Sequence, residues 1–368
     1  MSGFLKVYRV KITALGPLHI GAGVKIGKKE YIYDRRADKL YYPKMSDMMR
    51  EMKERRLLED FENFLLVSQN SDLGGFLAKN RVDYKKWCGA PIDLRGVVDN
   101  KGFNEIHGFI RDPYGLPYVP GSSVKGAFRS IVLFGEARKR LAAGENLSSE
   151  INPKNARFKA GENEKKLLYT LRRNEKVPGN ATNDIMAAFR FSDSEPISRD
   201  SITICQKVDL SKQGNYKPLP TFRECLKPGT TINLTLTVDT DLLARSQNSI
   251  LKSGFPSSFF QTLDEFNISY DEEFSSYFPG TTPYPPDTIF IGGGSGFLTK
   301  TMILGLFNDS NWVKLVSEIL DMRFRKHKHY LDLKLGISPR MLKTTEYQGR
   351  DYELGMCRVE VSEQTLEV

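Results

Sequence analysis

The 368 residues carry 54 Lys and Arg against 45 Asp and Glu, a net charge of +9, and 40% are hydrophobic. That share supports a packed core, argues against wholesale disorder and, at this length, allows about two domains of about 150 residues. No apolar run approaches the roughly 18 residues of a membrane span, so no membrane association is expected; four scattered cysteines without a CxxC pair argue against a zinc or disulfide framework.

The opening stretch "FLKVYRVKITALGPLHIGAG" alternates apolar and polar residues. It predicts a strand ending in a glycine turn at Gly21 and Gly23. It has neither a long apolar segment nor a small-residue cleavage site, so it does not read as a secretory leader, and a reduced, cytoplasmic setting is expected. "KEYIYDRRADKLYYP" predicts two short strands around the turn DRRADK. From Ser46, taken as N-cap, helical spacing runs through "SDMMREMKERRLLEDFENFLLVSQN". Residues 71–104 show no period and read as an insertion.

"YVPGSSVKGAFRSIVL", Tyr118 to Leu133, predicts a helix that continues to about Leu141. Ser122 or Ser123 is its expected cap, leaving free N–H groups at the positive end. Lys125 and Arg129 share one face, where they suit one or two phosphates. Val124, Phe128 and Ile131 face the core. A Walker loop needs glycine directly before its lysine, and here Val124 stands there.

Lys154 to Gly179 reads as a solvated helix followed by a loop. "MAAFRFSDSEPI" and "DSITICQKVDL" are strand-like, "SKQGNYKPLPTFREC" reads as the tip of a long hairpin, and "TTINLTLTVDT" is a cleanly alternating strand. A helix is expected around Phe255 to Phe278, then a strand into "IGGGSGFLTKT", more helix, and a last strand near "LGMCRVEV". In "GSGFLTKT", Gly294 to Thr301, Thr299 replaces the glycine that a Walker loop places before its lysine, here Lys300; a glycine loop admitting a close RNA backbone is the better reading. No cofactor is expected.

"MRFRKHKHYLDLKLGISPRMLK" interleaves Arg323, Arg325, Lys326, Lys328, Lys334, Arg340 and Lys343 with Phe324 and Tyr330. Cations among aromatics suit single-stranded nucleic acid, although such a run also makes an ordinary solvated face. His19 and His107 would be a general base and acid only if they met, and a core histidine is the commoner outcome. The strands come as hairpins more than as single crossovers, which predicts an α+β sandwich of the ferredoxin-like (RRM-like) type, used twice with helical insertions.

Taken in order, "LHIGAG", "FIRDPYGLPYVPGSSVKGAFR", "FRFSDSEPI", "ITICQK", "KPLPTFRECLKPGT" and "GGGSGFLTKT" resemble the RAMP superfamily of type III CRISPR effector complexes, within it the fifth-subunit family of type III-A (Csm) complexes. The resemblance implies two ferredoxin-like domains, at residues 1–226 and 227–368, that bind CRISPR RNA. It implies a non-catalytic subunit that caps the filament of backbone RAMP subunits at the guide's 3′ end and supports crRNA maturation in antiviral defence. Its implied partners are the guide RNA, target RNA, neighbouring backbone and small Csm subunits, and a host maturation nuclease. The implied RNA contacts are Gly21, Gly23, Ser122, Ser123, Lys125, Arg129, Gly292, Gly293, Gly294, Gly296 and Lys300. A hairpin carrying Lys207, Lys212, Lys217 and Arg223 sits where related subunits extend a "thumb" between segments of guide and target, which adds Lys207, Lys217 and Arg223 to the implied RNA contacts.

Related backbone subunits cut target with an aspartate after the first glycine turn. Here that stretch is "GAGVKIGKK", with Glu30 its first acid, so no target cutting is expected. Two other readings are a metal-independent endoribonuclease of repeat RNA that depends on His19, and a nucleotide switch at Gly294 to Thr301.

Overall fold

In chain order the strands and helices are β1 (Leu5–Ala14), β2 (Gly21–Ile26), β3 (Ile32–Asp34), β4 (Lys39–Tyr41), α1 (Met45–Glu54), α2 (Leu58–Val67), α3 (Leu73–Lys79), β5 (Ile92–Gly96) and β6 (Ile106–Phe109). Then follow α4 (Gly121–Ala142), α5 (Ala156–Leu168), β7 (Phe189–Phe191), β8 (Ile202–Ser211), β9 (Tyr216–Leu226), β10 (Thr231–Asp239), α6 (Thr240–Ala244) and α7 (Ser257–Glu273). The last are β11 (Thr288–Phe290), α8 (Ile303–Leu306), α9 (Asn311–Arg323), α10 (Asp332–Leu335), β12 (Met341–Tyr347), β13 (Arg350–Glu353) and β14 (Met356–Glu363). This computed structural model describes residues 4–67, 71–99, 103–246 and 249–364. The predicted helix end at 68–70 and part of the aperiodic stretch, 100–102, lie outside the described residues.

The first sheet has the order β11-β14-β1-β10-β7, with every pair antiparallel. Without its edge strand β11, the path β1-α4-β7-β10-α7-β14 has the strand order of one ferredoxin-like unit. Alternation decides which face is buried: Tyr8, Val10, Ile12 and Ala14 of β1 and Ile232, Leu234, Leu236 and Val238 of β10 point to one side. The long crossover helices cover that side. Phe128 of α4 stacks on Phe259 of α7, centroids 4.2 Å apart and 9° from parallel, and each such buried ring contributes about 1.5–3 kcal/mol.

The second sheet runs β2-β6-β9-β8-β5-β4-β3, with β12 on β8 and β13 on β12. It includes the parallel pairs β5–β8 and β6–β9, so it does not repeat the ferredoxin-like order. The mixed α+β class stands. A division at 226/227 does not separate the sheets, because the first takes β1 and β7 from one side of it and β10, β11 and β14 from the other.

Several local expectations change. Gly21 and Gly23 lie in β2, where a register shift between Gly21 and Lys25 replaces the turn. The helix expected to be capped by Ser46 starts two residues earlier, with Lys44 as N-cap and no side-chain cap. It also stops at Arg56, whose φ is 59°: the Leu57 N–H bonds the Met52 carbonyl and the Arg56 N–H bonds the Lys53 carbonyl, closing one helix before α2 begins. The strand-like "MAAFRFSDSEPI" keeps only β7, after a 3-10 turn over Ile185–Ala188. The expected hairpin tip is mostly strand, since β9 begins at Tyr216, and β8 and β9 form the middle of the second sheet. No described helix is long and apolar enough to cross a membrane.

Candidate nucleic-acid interface

The chain leaves β1 at Ala14 and reaches the second sheet through Leu18, His19 and Ile20. Leu18 bridges Leu226 of β9, and the Ile20 carbonyl accepts from the Ile110 N–H at 2.9 Å. The Gly293 N–H donates to the His19 carbonyl at 2.7 Å, which draws the second glycine loop onto this crossing. Gly292 must be glycine here: its φ is +79° and a Cβ would sit 2.3 Å from the His19 oxygen.

Two grooves flank that loop. The first, about 420 Å³, is lined by Gly21 of β2, Ser122, Ser123 and Ser130 of α4, Gly292, Gly293, Thr299 and Lys300. Three segments far apart in sequence therefore meet at one groove. The second, about 690 Å³, lies between the β8–β9 hairpin, β12, the Gly294–Gly296 turn and the end of α9. Lys207, Lys217, Arg223, Gly294 and Gly296 line it, as do Arg323, Arg340, Lys343 and Phe324 of the predicted basic segment. Lys212 turns away and donates to the Leu335 carbonyl at 3.0 Å.

Charge in the second groove is unevenly balanced. Asp209 pairs with Lys343 at 2.7 Å and with Lys207 at 3.9 Å. Arg223 and Lys217 have no ion pair among the described residues, and the buried Nη1 of Arg223 has no hydrogen-bond partner there. The hydroxyl of Ser295, 3% exposed on the same wall, is likewise unpartnered among them. Burial lowers the pKa of Lys207, Arg223 and Lys300, with neighbouring cations adding to the effect on the two lysines. Desolvated cations with open donors favour an anion.

The helix start differs from the sequence expectation. Pro120, not Ser122 or Ser123, is the N-cap, and the Gly121 N–H donates to Asp193 Oδ1 at 2.8 Å. An aspartate thus already occupies part of the positive end of α4; the two serines sit in its first turn and line the first groove. Lys125 and Arg129 do share a face, but that face is covered. Lys125 Nζ donates to the Phe189 carbonyl at 2.8 Å, and Arg129 pairs with Glu164 of α5 at 2.5 Å and Asp184 at 2.7 Å. Helix α5, expected to be solvated, supplies that carboxylate and buries Leu167 and Leu168.

Gly23 has φ +76° with open space around it, and lies in neither groove. Glu30 accepts from the Gly27 N–H at 2.7 Å and so closes a local turn. The Walker-like stretch itself contains a 3-10 turn, Leu298–Lys300, and is followed by the four-residue α8. Lys300 folds back to donate to the Gly292 carbonyl. His19 and His107 both flank β9: His19 Nδ1 lies 2.7 Å from the Glu224 carbonyl oxygen, and His107 pairs in register with Arg223. Sequence reading missed Glu353, which lines the second groove with Ser295 of the Gly292–Gly296 loop. Glu353 accepts from Tyr270 and Tyr284, and burial raises its pKa to about 7; partners 69 and 83 residues away leave no local signal.

A family model described as the RAMP superfamily matches residues 11–318. A Mycobacterium tuberculosis protein named "CRISPR system Cms protein Csm5" is 30% identical across 98% of this chain and 99% of its own length. Its namesake from Streptococcus thermophilus is 32% identical across 82% of each. Among solved structures, a chain in a cryo-EM Csm–crRNA–target RNA ternary complex of a type III-A CRISPR-Cas system matches with a TM-score of 0.62. It is 20% identical, and the match covers 96% of this chain and all of that one. The crystal structure of T. onnurineus Csm5 matches with a TM-score of 0.60 at 17% identity, over 95% and 99%. With a family model over most of its length and relatives at 30% identity end to end, this chain belongs to the RAMP superfamily and, within it, to the Csm5 family of type III-A CRISPR systems.

Proposed function

We propose that this protein is a non-catalytic RNA-binding subunit of a type III-A Csm complex, that it caps the guide at the crRNA 3′ end, and that it supports crRNA maturation in antiviral defence. The observation that carries the RNA-binding part is the pair of grooves on either side of the Gly292–Gly296 loop, the first bordered by Lys300 and the second by Lys207, Lys217, Arg223, Arg323, Arg340 and Lys343. In this reading Gly21, Ser122, Ser123, Gly292, Gly293 and Lys300 receive backbone phosphate in the first groove. Lys207, Lys217, Arg223, Gly294 and Gly296 receive it in the second. Lys125 and Arg129 act one step away by holding α4 against β7 and α5, and Gly23 lets β2 bulge beside the first groove. Family membership supports assembly with neighbouring RAMP and small Csm subunits, with target RNA and a maturation nuclease as further partners, in the cytoplasm.

The test is a crosslink map of the assembled complex. Photocrosslinks from this subunit confined to the guide's 3′ end, reduced by Lys217→Ala, Arg223→Ala and Lys300→Ala, are expected. Crosslinks along the guide's interior would instead make it a backbone-type subunit, and none at all would make it a protein-only scaffold. One observation keeps the endoribonuclease reading in view: His19 and His107 flank the same strand. Cleavage of repeat RNA in EDTA that is lost in His19→Ala would favour that reading.

A further inference from the structure

His19 is 5% exposed, and its two ring nitrogens are in different positions chemically. Nδ1 lies 2.7 Å from the Glu224 carbonyl oxygen. A carbonyl only accepts, so Nδ1 carries the ring proton. Burial, with Arg223, His107 and Lys300 nearby, lowers the imidazole pKa to about 4. Nε2 is therefore a bare lone pair at neutral pH, and among the described residues no group donates to it.

That nitrogen is left open by two glycines. A methyl at Gly21 would sit 3.1 Å from Nε2, and one at Gly293 would sit 3.1 Å from the adjoining Cδ2. Both glycines line the first groove together with Ser122, Ser123 and Lys300. A nearly buried acceptor just behind the glycines that line this groove is left to take its donor from whatever lies there. A phosphodiester has none to give. The ribose 2′-hydroxyl does, and it is the group by which a protein tells RNA from DNA.

We infer that His19 Nε2 accepts a hydrogen bond from a ribose 2′-hydroxyl of RNA in the first groove, and that this contact selects RNA over DNA. The inference deepens the RNA-binding reading above and rests on it. The neighbouring phosphate falls to Lys300 and the α4 serines, so one nucleotide is read at two atoms.

Binding of a ribo-oligonucleotide is compared with that of the same sequence as 2′-deoxy strand, with deoxyuridine for uridine. His19→Asn keeps an amide N–H for the Glu224 carbonyl and takes the acceptor away from the Nε2 position. Gly21→Ala leaves the imidazole intact and covers Nε2 with a methyl. His19→Asn is expected to lower RNA affinity about tenfold, the size of one neutral hydrogen bond, and to leave DNA affinity unchanged; Gly21→Ala, at a residue that also borders the phosphate path, is expected to lower RNA affinity by more than DNA affinity. Equal losses on RNA and DNA would overturn the inference by pointing to a base or packing contact. Unchanged RNA affinity in variants with wild-type melting temperature would overturn it as well. So would cleavage of the ribo-strand in EDTA that His19→Asn abolishes, because Nε2 would then remove the hydroxyl proton rather than read it. If wild-type protein binds RNA through Lys217, Arg223 and Lys300 with no ribose preference, only this inference fails. If it binds no RNA, the proposed function fails with it.

Discussion

Two sets of cations lie within one chain, and they are put to different uses. Arg111 and Arg129 meet carboxylates inside the fold: Arg111 pairs with Glu224, itself almost wholly buried, at 2.7 Å, and Arg129 holds both Glu164 and Asp184. Lys217, Arg223 and Lys300 border the grooves with no ion pair among the described residues. Both sets look alike in a sequence, as basic residues in segments that resemble an RNA-binding family. Whether a carboxylate arrives from elsewhere decides which cations hold the protein together and which remain open to a polyanion.

The largest expected effect comes from breaking an internal pair. Glu224→Leu strands the Arg111 guanidinium and the Phe109 N–H, which donates to Glu224 at 2.8 Å; chemical denaturation should show a loss of about 3–5 kcal/mol. Next, removing Lys217, Arg223 or Lys300 should weaken RNA binding roughly tenfold or more each, since a charged hydrogen bond is worth about 1.5–3 kcal/mol. Each should also reduce the log–log salt slope by about 0.7 in filter binding or anisotropy titrations. An unchanged slope would remove that side chain from the phosphate path.

Lys125→Ala with Arg129→Ala sharpens the contrast from the other side. The pair should lose about 1–3 kcal/mol of stability, as partly buried pairs do, and the folded fraction should keep the wild-type salt slope. A lower slope in folded protein would return both residues to the RNA contact.

Glu353→Gln tests the tyrosine-bound acid beside the second groove. Its folded pKa is raised from 4.5 to about 7, so the folded state holds a proton that the unfolded chain has released. That stabilisation is complete below about pH 4.5 and is lost as pH rises through about 7. The variant should flatten the decline of melting temperature over this window. The smallest effect is expected from Gly23→Ala, at about 1 kcal/mol, because only backbone strain at φ +76° is added in open space.

Parts of this molecule were legible without coordinates, and the reason is local periodicity. The alternation in β1 and β10 and the 3.6-residue spacing of Val124, Phe128 and Ile131 are properties of ten to twenty consecutive residues, and the structure buries those side chains. That the first glycine segment, the α4 serines and the second glycine loop should each contact RNA came from the motif order shared with a family, not from physics read off the chain; that they meet at one groove came only from the structure. What misled was also local: Ser122 and Ser123 have good capping chemistry, but Asp193, 72 residues away from Gly121, takes the N–H first.

By itself the sequence determined the α+β class, the main strands and helices, the basic balance and the family. Only the tertiary structure decided that β1 lies between β10 and β14, so that one sheet draws on both ends of the chain. It likewise decided that Arg129 is spent while Arg223 is not. Both outcomes depend on partners far apart in sequence: Arg129 is 35 residues from Glu164 and 55 from Asp184. Hydrophobic period and backbone propensity act within a turn or a strand, whereas strand order and charge pairing are settled by which surfaces meet when the core closes.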